Sequence, residues 1–154
     1  MKKMGIASFT ERGRKRAEEV RKIFLGEYQI LPYEKDRGES LKEWCLRCFG
    51  EGEALVFVGA CGIAVRTIAP FLQDKTKDPA VLVMDEAGRY VISLVSGHLG
   101  GANRLALKIA ESLGAEPVIT TATDVNGKFA VDVFAKDNQL AISSMKAAKE
   151  ISAA

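Results

Sequence analysis

The run Ala54-Leu55-Val56-Phe57-Val58 is apolar at every position. A strand with one wet face would alternate with polar residues, so this run predicts a strand buried on both faces, within a sheet covered by helices on each side. It passes directly into Gly59-Ala60-Cys61-Gly62, a turn that opens a helix over residues 63–68, with Pro70 near its end. The same alternation recurs along the chain. Residues 6–9 read as a strand, Thr10 as a helix cap, and a helix follows to about residue 25 with Ala17, Val20, Ile23 and Phe24 on one face and Gly26 as its stop. Residues 28–31 form a second strand, and a polar loop leads to a helix that carries Trp44 and ends at Gly50-Glu51-Gly52.

Past the polar loop Lys75-Thr76-Lys77-Asp78-Pro79, residues 80–84 and 90–95 are strands joined by Asp85-Glu86-Ala87-Gly88-Arg89, short enough for a hairpin. A second glycine-rich turn, Ser96-Gly97-His98-Leu99-Gly100-Gly101, opens a helix with Ala102, Leu105, Ala106, Ile109, Ala110 and Leu113 as its apolar stripe and Gly114 as its close. Residues 117–120 read as another buried strand, Thr121-Ala122-Thr123-Asp124 as caps, and residues 129–134 as the start of a helix. The expected class is α/β, a three-layer α/β/α sandwich with a mostly parallel sheet and one antiparallel hairpin strand. Residues 1–137 make one domain, and the Ala/Ser/Lys-rich residues 138–154 a tail or linker.

Composition narrows the function. The 47% hydrophobic and 27% charged residues are those of a folded globular chain, and no apolar run approaches the ~20 residues of a membrane span. With no stretch of signal-peptide character, the expected location is the cytoplasm. A net charge of +2 does not argue for nucleic acid. Arg12, Arg14, Lys15, Arg16, Arg21 and Lys22 are interrupted by Glu11, Glu18 and Glu19 and lack interleaved aromatics, so they read as a solvated helix face. Cys45 and Cys48 resemble a redox Cys-x-x-Cys, but a polar turn precedes them, and Leu41, Trp44, Cys45 and Cys48 fall on one helical face. They read as core. One histidine and three cysteines make a protein zinc site a poor reading.

In an open α/β sheet ligands bind beyond the carboxyl ends of the strands. Three segments are expected there, at residues 59–62, 96–103 and 120–124, each opening or capping a helix so that backbone amides face a shared crevice suited to an anion. Neither glycine-rich turn has the Gly-x-Gly-x-x-Gly spacing, and no Walker-type loop occurs. His98, the one histidine, reads equally as an exposed imidazole for acid–base work and as a polar turn residue bonded to backbone. Asp78, Asp85, Asp124 and Asp132 can orient an imidazole, although Asp78 also suits a turn and Asp124 a cap. Arg66, Lys75, Lys77 and Arg104 can pair with carboxylates, and Asn103 can cap its helix or donate to a ligand.

Several separated motifs in order are more specific than any one. Gly59-Ala60-Cys61-Gly62-Ile63-Ala64-Val65-Arg66, Ile68-Ala69-Pro70, Asp74-Lys75, Asp78-Pro79-Ala80-Val81, Ser96-Gly97-His98-Leu99-Gly100-Gly101-Ala102-Asn103 and Pro117-Val118-Ile119-Thr120-Thr121-Ala122-Thr123-Asp124 together resemble the CbiG family of cobalamin biosynthesis, N-terminal domain, most closely over residues 53–134. The resemblance implies hydrolysis of cobalt-precorrin-5A, opening its δ-lactone and releasing acetaldehyde. It implies His98 as the group that activates water, Asp124 or Asp78 orienting it, and Lys75 holding a carboxylate or assisting carbon–carbon cleavage. Gly59, Gly62, Arg66, Ser96, Gly97, Gly100, Gly101, Asn103, Arg104, Thr121 and Thr123 would line the substrate, with the Gly100 and Gly101 amides receiving the oxyanion. No cofactor or protein-held metal is expected, since cobalt arrives with the substrate. Expected partners are that cobalt-precorrin and a C-terminal CbiG domain or other cobalamin-pathway enzymes, with no nucleic acid and no membrane. Against this enzyme stand a non-catalytic tetrapyrrole-binding subunit and an unrelated anion- or nucleotide-binding module.

Overall fold

A computed structural model describes residues 1–97, 99–122 and 146–147. The expected helix at 129–134 and tail at 138–154 lie outside the described residues, apart from the helical pair 146–147. Six strands form one sheet: β1 Lys2–Ser8, β2 Tyr28–Pro32, β3 Ala54–Val58, β4 Ala80–Met84, β5 Tyr90–Val95 and β6 Glu116–Val118, in the order β2-β1-β3-β4-β5-β6. Among the described residues four α-helices flank it: α1 Glu11–Ile23, α2 Leu41–Glu51, α3 Cys61–Ile68 and α4 Ala102–Leu113. None of the described helices is long and apolar enough to cross a membrane.

The two-sided burial expected of β3 holds at all five positions, and β4 matches it. Alternate residues feed two cores. Val56, Val58, Leu82 and Met84 meet Val20 of α1, Phe24 just past its end, and Leu105, Ala106 and Ile109 of α4. Leu55, Phe57, Val81 and Val83 meet Trp44, Cys45 and Cys48 of α2 and Ala64 and Ile68 of α3. Three layers result, as a sheet with two apolar faces demands.

Local signals set the helix starts. Thr10 accepts from the Gly13 amide at 2.9 Å, and Ser40 and Glu43 form a reciprocal capping box. Gly114, at φ +67, closes α4.

Strands β1 to β4 are mutually parallel, and β4 pairs antiparallel with β5 across the expected hairpin. Strand β6 then joins β5 in parallel through the α4 crossover, so two strands oppose the first four. The fully buried strand expected at 117–120 is a correction. It is Glu116–Val118, exposed at Glu116 and half-buried beyond, because among the described residues it lies at the end of the sheet with one strand neighbour.

One close approach fixes the α2 layer. A β-carbon on Gly5, inside β1, would lie 2.7 Å from Cys48 Sγ and 2.8 Å from Trp44 Cζ2. The indole, fully buried, donates from Nε1 to the Leu31 carbonyl at 2.9 Å and so ties α2 to β2. Gly5→Ala should therefore cost about 1–3 kcal/mol in urea denaturation. Adding Cys48→Ala should recover part of that loss, a coupling that a double-mutant cycle measures.

Candidate active site

Strand direction decides which turns can share a crevice. Strands β1, β3 and β4 end at one edge of the sheet, where the Gly59 amide donates to the Met84 carbonyl at 2.9 Å. Strand β5 runs back, pairing Val91 with Met84 and Val95 with Val81, so it ends beside the start of β4. Strand β6 runs with β5 and ends at that same far edge. The turn at 59–62 and the turn at 96–101 therefore stand at opposite edges, roughly 16 Å apart along a five-residue strand. The expectation of one rim gathering all three segments is corrected: the hairpin reverses the chain, so carboxyl ends before and after it face opposite ways.

At the first edge stand Gly59, Gly62 and Arg66. A β-carbon at Gly59 would lie 2.9 Å from the Phe9 ring, which covers that turn. Arg66, exposed on α3, reaches back along its own helix, and its Nη1 would sit 3.4 Å from a β-carbon at Gly62. Gly59, Gly62 and Arg66 are thus separated from Ser96, Gly97, Gly100, Gly101 and Asn103.

The second edge brings together Ser96, Gly97, Gly100, Gly101, Asn103 and Thr121. Gly97 lies against Asn103 and Thr121, and a β-carbon there would meet Asn103 Oδ1 at 2.8 Å and Thr121 Cγ2 at 3.0 Å. A β-carbon at Gly100 would meet the Ser96 β-carbon at 2.3 Å and the Ala80 amide nitrogen at 3.3 Å. Gly101 takes φ +84 as it enters α4, a conformation that favours glycine. Arg104 is exposed on the first turn of α4, with Nη2 3.1 Å from a β-carbon built at Gly101. The loop before β4 arrives at the same place, since the Ser96 hydroxyl donates to the Asp78 carbonyl at 3.1 Å.

Several polar groups at this edge are already committed. The Ala102 and Asn103 amides donate to the Ser96 and Gly97 carbonyls, both at 3.1 Å, so two helix-opening donors are satisfied within the turn. Among the described residues no backbone carbonyl accepts from the Gly100 or Gly101 amide. Asn103 is the buried polar residue of this region. Its Oδ1 accepts from Ser93 Oγ at 2.6 Å and its Nδ2 donates to Thr121 Oγ1 at 2.9 Å. By these two bonds Asn103 braces β5 against the chain after β6. Ser93, its partner, carried no sequence signal, because strand register alone brings it there.

The carboxylates divide similarly. Both oxygens of Asp78 accept from the Gln73 amide, at 3.0 and 3.1 Å, closing the 72–79 loop. Asp74 accepts from the Thr76 hydroxyl and amide, and these bonds hold its carboxyl below the usual range, with Lys77 adding to the effect. Lys75 stands exposed between them. Asp85 accepts from the Arg89 and Tyr90 amides at 2.9 and 2.8 Å, at the other edge, as the brace of the hairpin. His98, Thr123, Asp124 and Asp132 lie outside the described residues.

The Cys45 and Cys48 thiols are buried in the α2 core, and burial pushes both up from 9.0 to about 12. This is the opposite of a redox pair, whose attacking thiol is held low. Above pH 9 the unfolded thiols ionise while the folded ones stay protonated, so the folded chain loses stability as pH rises from 9 to about 12. A thiol reagent at pH 8 should modify the half-buried Cys61 first and reach Cys45 and Cys48 only as the chain unfolds, which mass spectrometry of the labelled protein would read. Gly97→Ala should cost about 1–3 kcal/mol in thermal melting by driving a methyl group into the Asn103 amide.

A family model described as cobalamin synthesis G N-terminal matches residues 43–124, more than half of the chain. The cobalt-precorrin-5A hydrolase of Salmonella typhimurium strain LT2 is 56% identical over 95 residues, which are 62% of this chain and 27% of that one. The cobalt-precorrin-5A hydrolase of Priestia megaterium is 50% identical over 88 residues, 57% of this chain and 24% of that one. The chain thus spans about a quarter of the length of these curated relatives. Among solved structures, a cobalamin biosynthesis protein G homolog from Sulfolobus solfataricus matches with a TM-score of 0.66 at 26% identity, covering 98% of this chain and 45% of that one. The matched stretch begins in α2 and runs past β6, taking in both glycine-rich turns and the strands between them, and by that match the chain belongs to the cobalamin synthesis G N-terminal family.

Proposed function

We propose that this chain supplies the hydrolytic site of a cobalt-precorrin-5A hydrolase, and that the site lies at the edge where β5 and β6 end. One observation carries the location: the glycine-rich turn, the 72–79 loop and Thr121 meet there, while Gly59, Gly62 and Arg66 stand at the opposite edge. Opening a lactone requires a water made nucleophilic and donors for the oxyanion that forms on the carbonyl oxygen. The Gly100 and Gly101 amides are the donors in this reading. His98, whose sequence neighbours Gly97 and Leu99 belong to this turn, takes the proton from water, with Asp124 orienting its ring. The acyl–oxygen bond then breaks and the ring oxygen leaves as an alkoxide; its collapse to a carbonyl breaks the adjoining carbon–carbon bond, whose electron pair passes into the macrocycle, and the two-carbon unit departs as acetaldehyde. Lys75 and Arg104 hold peripheral carboxylates of the macrocycle, with Thr121 and Thr123 beside them. Asp78 serves the loop rather than the proton transfer, since its carboxylate is bound to the Gln73 amide. Cobalt enters within the substrate, and the chain needs no cofactor of its own in this reading. The matched relatives' names and the identities of 56% and 50% support the activity.

The length of those relatives favours one second reading, a tetrapyrrole-binding part that works with a C-terminal domain or another enzyme of the pathway. Anaerobic incubation of the purified chain with cobalt-precorrin-5A separates the two. Acetaldehyde from the chain alone supports the hydrolase, and tight binding without acetaldehyde supports the binding part. His98→Ala should lower kcat by about 100-fold or more with substrate binding retained. Arg66→Ala, at the other edge, should leave both constants within about twofold of the parent, because surface changes away from a site rarely move it. A large loss in Arg66→Ala with none in His98→Ala would move the site to the wrong edge for this proposal.

A further inference from the structure

We propose that Ser96 is a positioning residue, a strained latch that holds the 72–79 loop against the glycine-rich turn; its role in turnover rests on reading this edge as the hydrolase site. Among the described residues Ser96 is the one non-glycine with a left-handed backbone, at φ 59. A β-carbon disfavours that conformation, and such strain persists only where the surroundings over-determine it. Glycine would take it without penalty, and three of the six residues at 96–101 are already glycine. Backbone conformation alone therefore gives no reason for serine here.

What serine adds is its hydroxyl. Its Oγ donates to the carbonyl of Asp78, the residue whose carboxylate closes the 72–79 loop on the Gln73 amide. The Ser96 carbonyl meanwhile accepts from the Ala102 amide, the first residue of α4, at 3.1 Å. Gly100 packs on the same residue so closely that a β-carbon would stand 2.3 Å from that of Ser96. One side chain thus fixes the loop carrying Lys75 relative to the turn carrying the Gly100 and Gly101 amides. Ser96 acts through those two segments and does not itself touch reacting atoms. A misplacement of about 1 Å between groups that act together can cost on the order of 100-fold in rate, so a small latch has leverage.

Two variants of the purified chain separate strain from latch. Ser96→Gly removes both the β-carbon and the hydroxyl; Ser96→Ala removes the hydroxyl alone. The expected result for Ser96→Gly is a Tm higher by about 2–4 °C as the strain is relieved. With it should come amide exchange about tenfold faster at Gln73, Thr76 and Asp78. Its kcat on cobalt-precorrin-5A should be about tenfold lower at unchanged KM. Ser96→Ala should show the same exchange and kcat without the gain in Tm. A residue of merely structural value would not move Tm and kcat in opposite senses. Unchanged exchange at 72–79 in both variants, or full turnover in Ser96→Gly, overturns the latch. If the parent chain gives no acetaldehyde, the functional reading of this edge fails, while exchange and melting still decide whether Ser96 is a strained latch.

Discussion

Asp85 receives the amides of Arg89 and Tyr90, Gly88 turns the chain at φ +70, and Arg16 of α1 reaches over to donate to the Glu86 and Ala87 carbonyls. Together these contacts make a tight reversal, and everything after it depends on that. A helical crossover in its place would have laid β5 parallel to β4 and put the second glycine-rich turn beside the first. The reversal sends β5 back along β4, and the return through α4 gives β6 the same direction. Two sets of carboxyl ends face away from each other in consequence. Even the position of Arg16 follows, since a β-carbon at Gly88 would lie 2.9 Å from its guanidinium carbon.

The body of the sheet is built for rigidity, and the edge is built differently. Between the layers, β3 and β4 are buried at every position and α2 closes on β1 through a glycine. The edge at 96–101 is held by a few specific bonds: the Ser96 hydroxyl and the Asn103 amide join segments distant in sequence, and the Asp78 carboxylate closes its own loop. A polar group buried in such a place must be satisfied, and Asn103 is satisfied on both sides of its amide. That arrangement can hold the backbone of the turn steady. It also carries local strain at one serine, a cost characteristic of functional turns.

The two cysteines of α2 illustrate how context outranks motif. Their spacing is that of a redox pair, yet both sulfur atoms sit in the core beneath β1 and β3, with thiols pushed up to about 12. The helix faces its apolar stripe inward, so the spacing that places two thiols on one face also places them out of reach. The charged residues of α1 are likewise ordinary, with Arg16 and Arg21 engaged by Glu19 and Glu18 along the helix.

Most of the architecture was legible in the residues themselves. The unbroken apolar run of β3, the Thr10 cap, the Gly114 stop, the hairpin at 85–89 and the family motifs all follow from periodicity, capping chemistry and motif order, which are local properties of the chain. Those motifs also named Ser96, Gly97, Gly100, Gly101 and Thr121 together, and these do share one edge. What local reading could not supply was the edge on which each turn falls, because direction accumulates along the chain and one reversal changes every later strand. Nor could it show that Asn103 faces Ser93 and Thr121, or that Ser96 is left-handed, since both depend on groups brought together by strand register. Sequence determined the elements and the chemistry available to them; tertiary structure alone decided which of those groups became neighbours, because pairing across the sheet joins residues that no spacing along the chain relates.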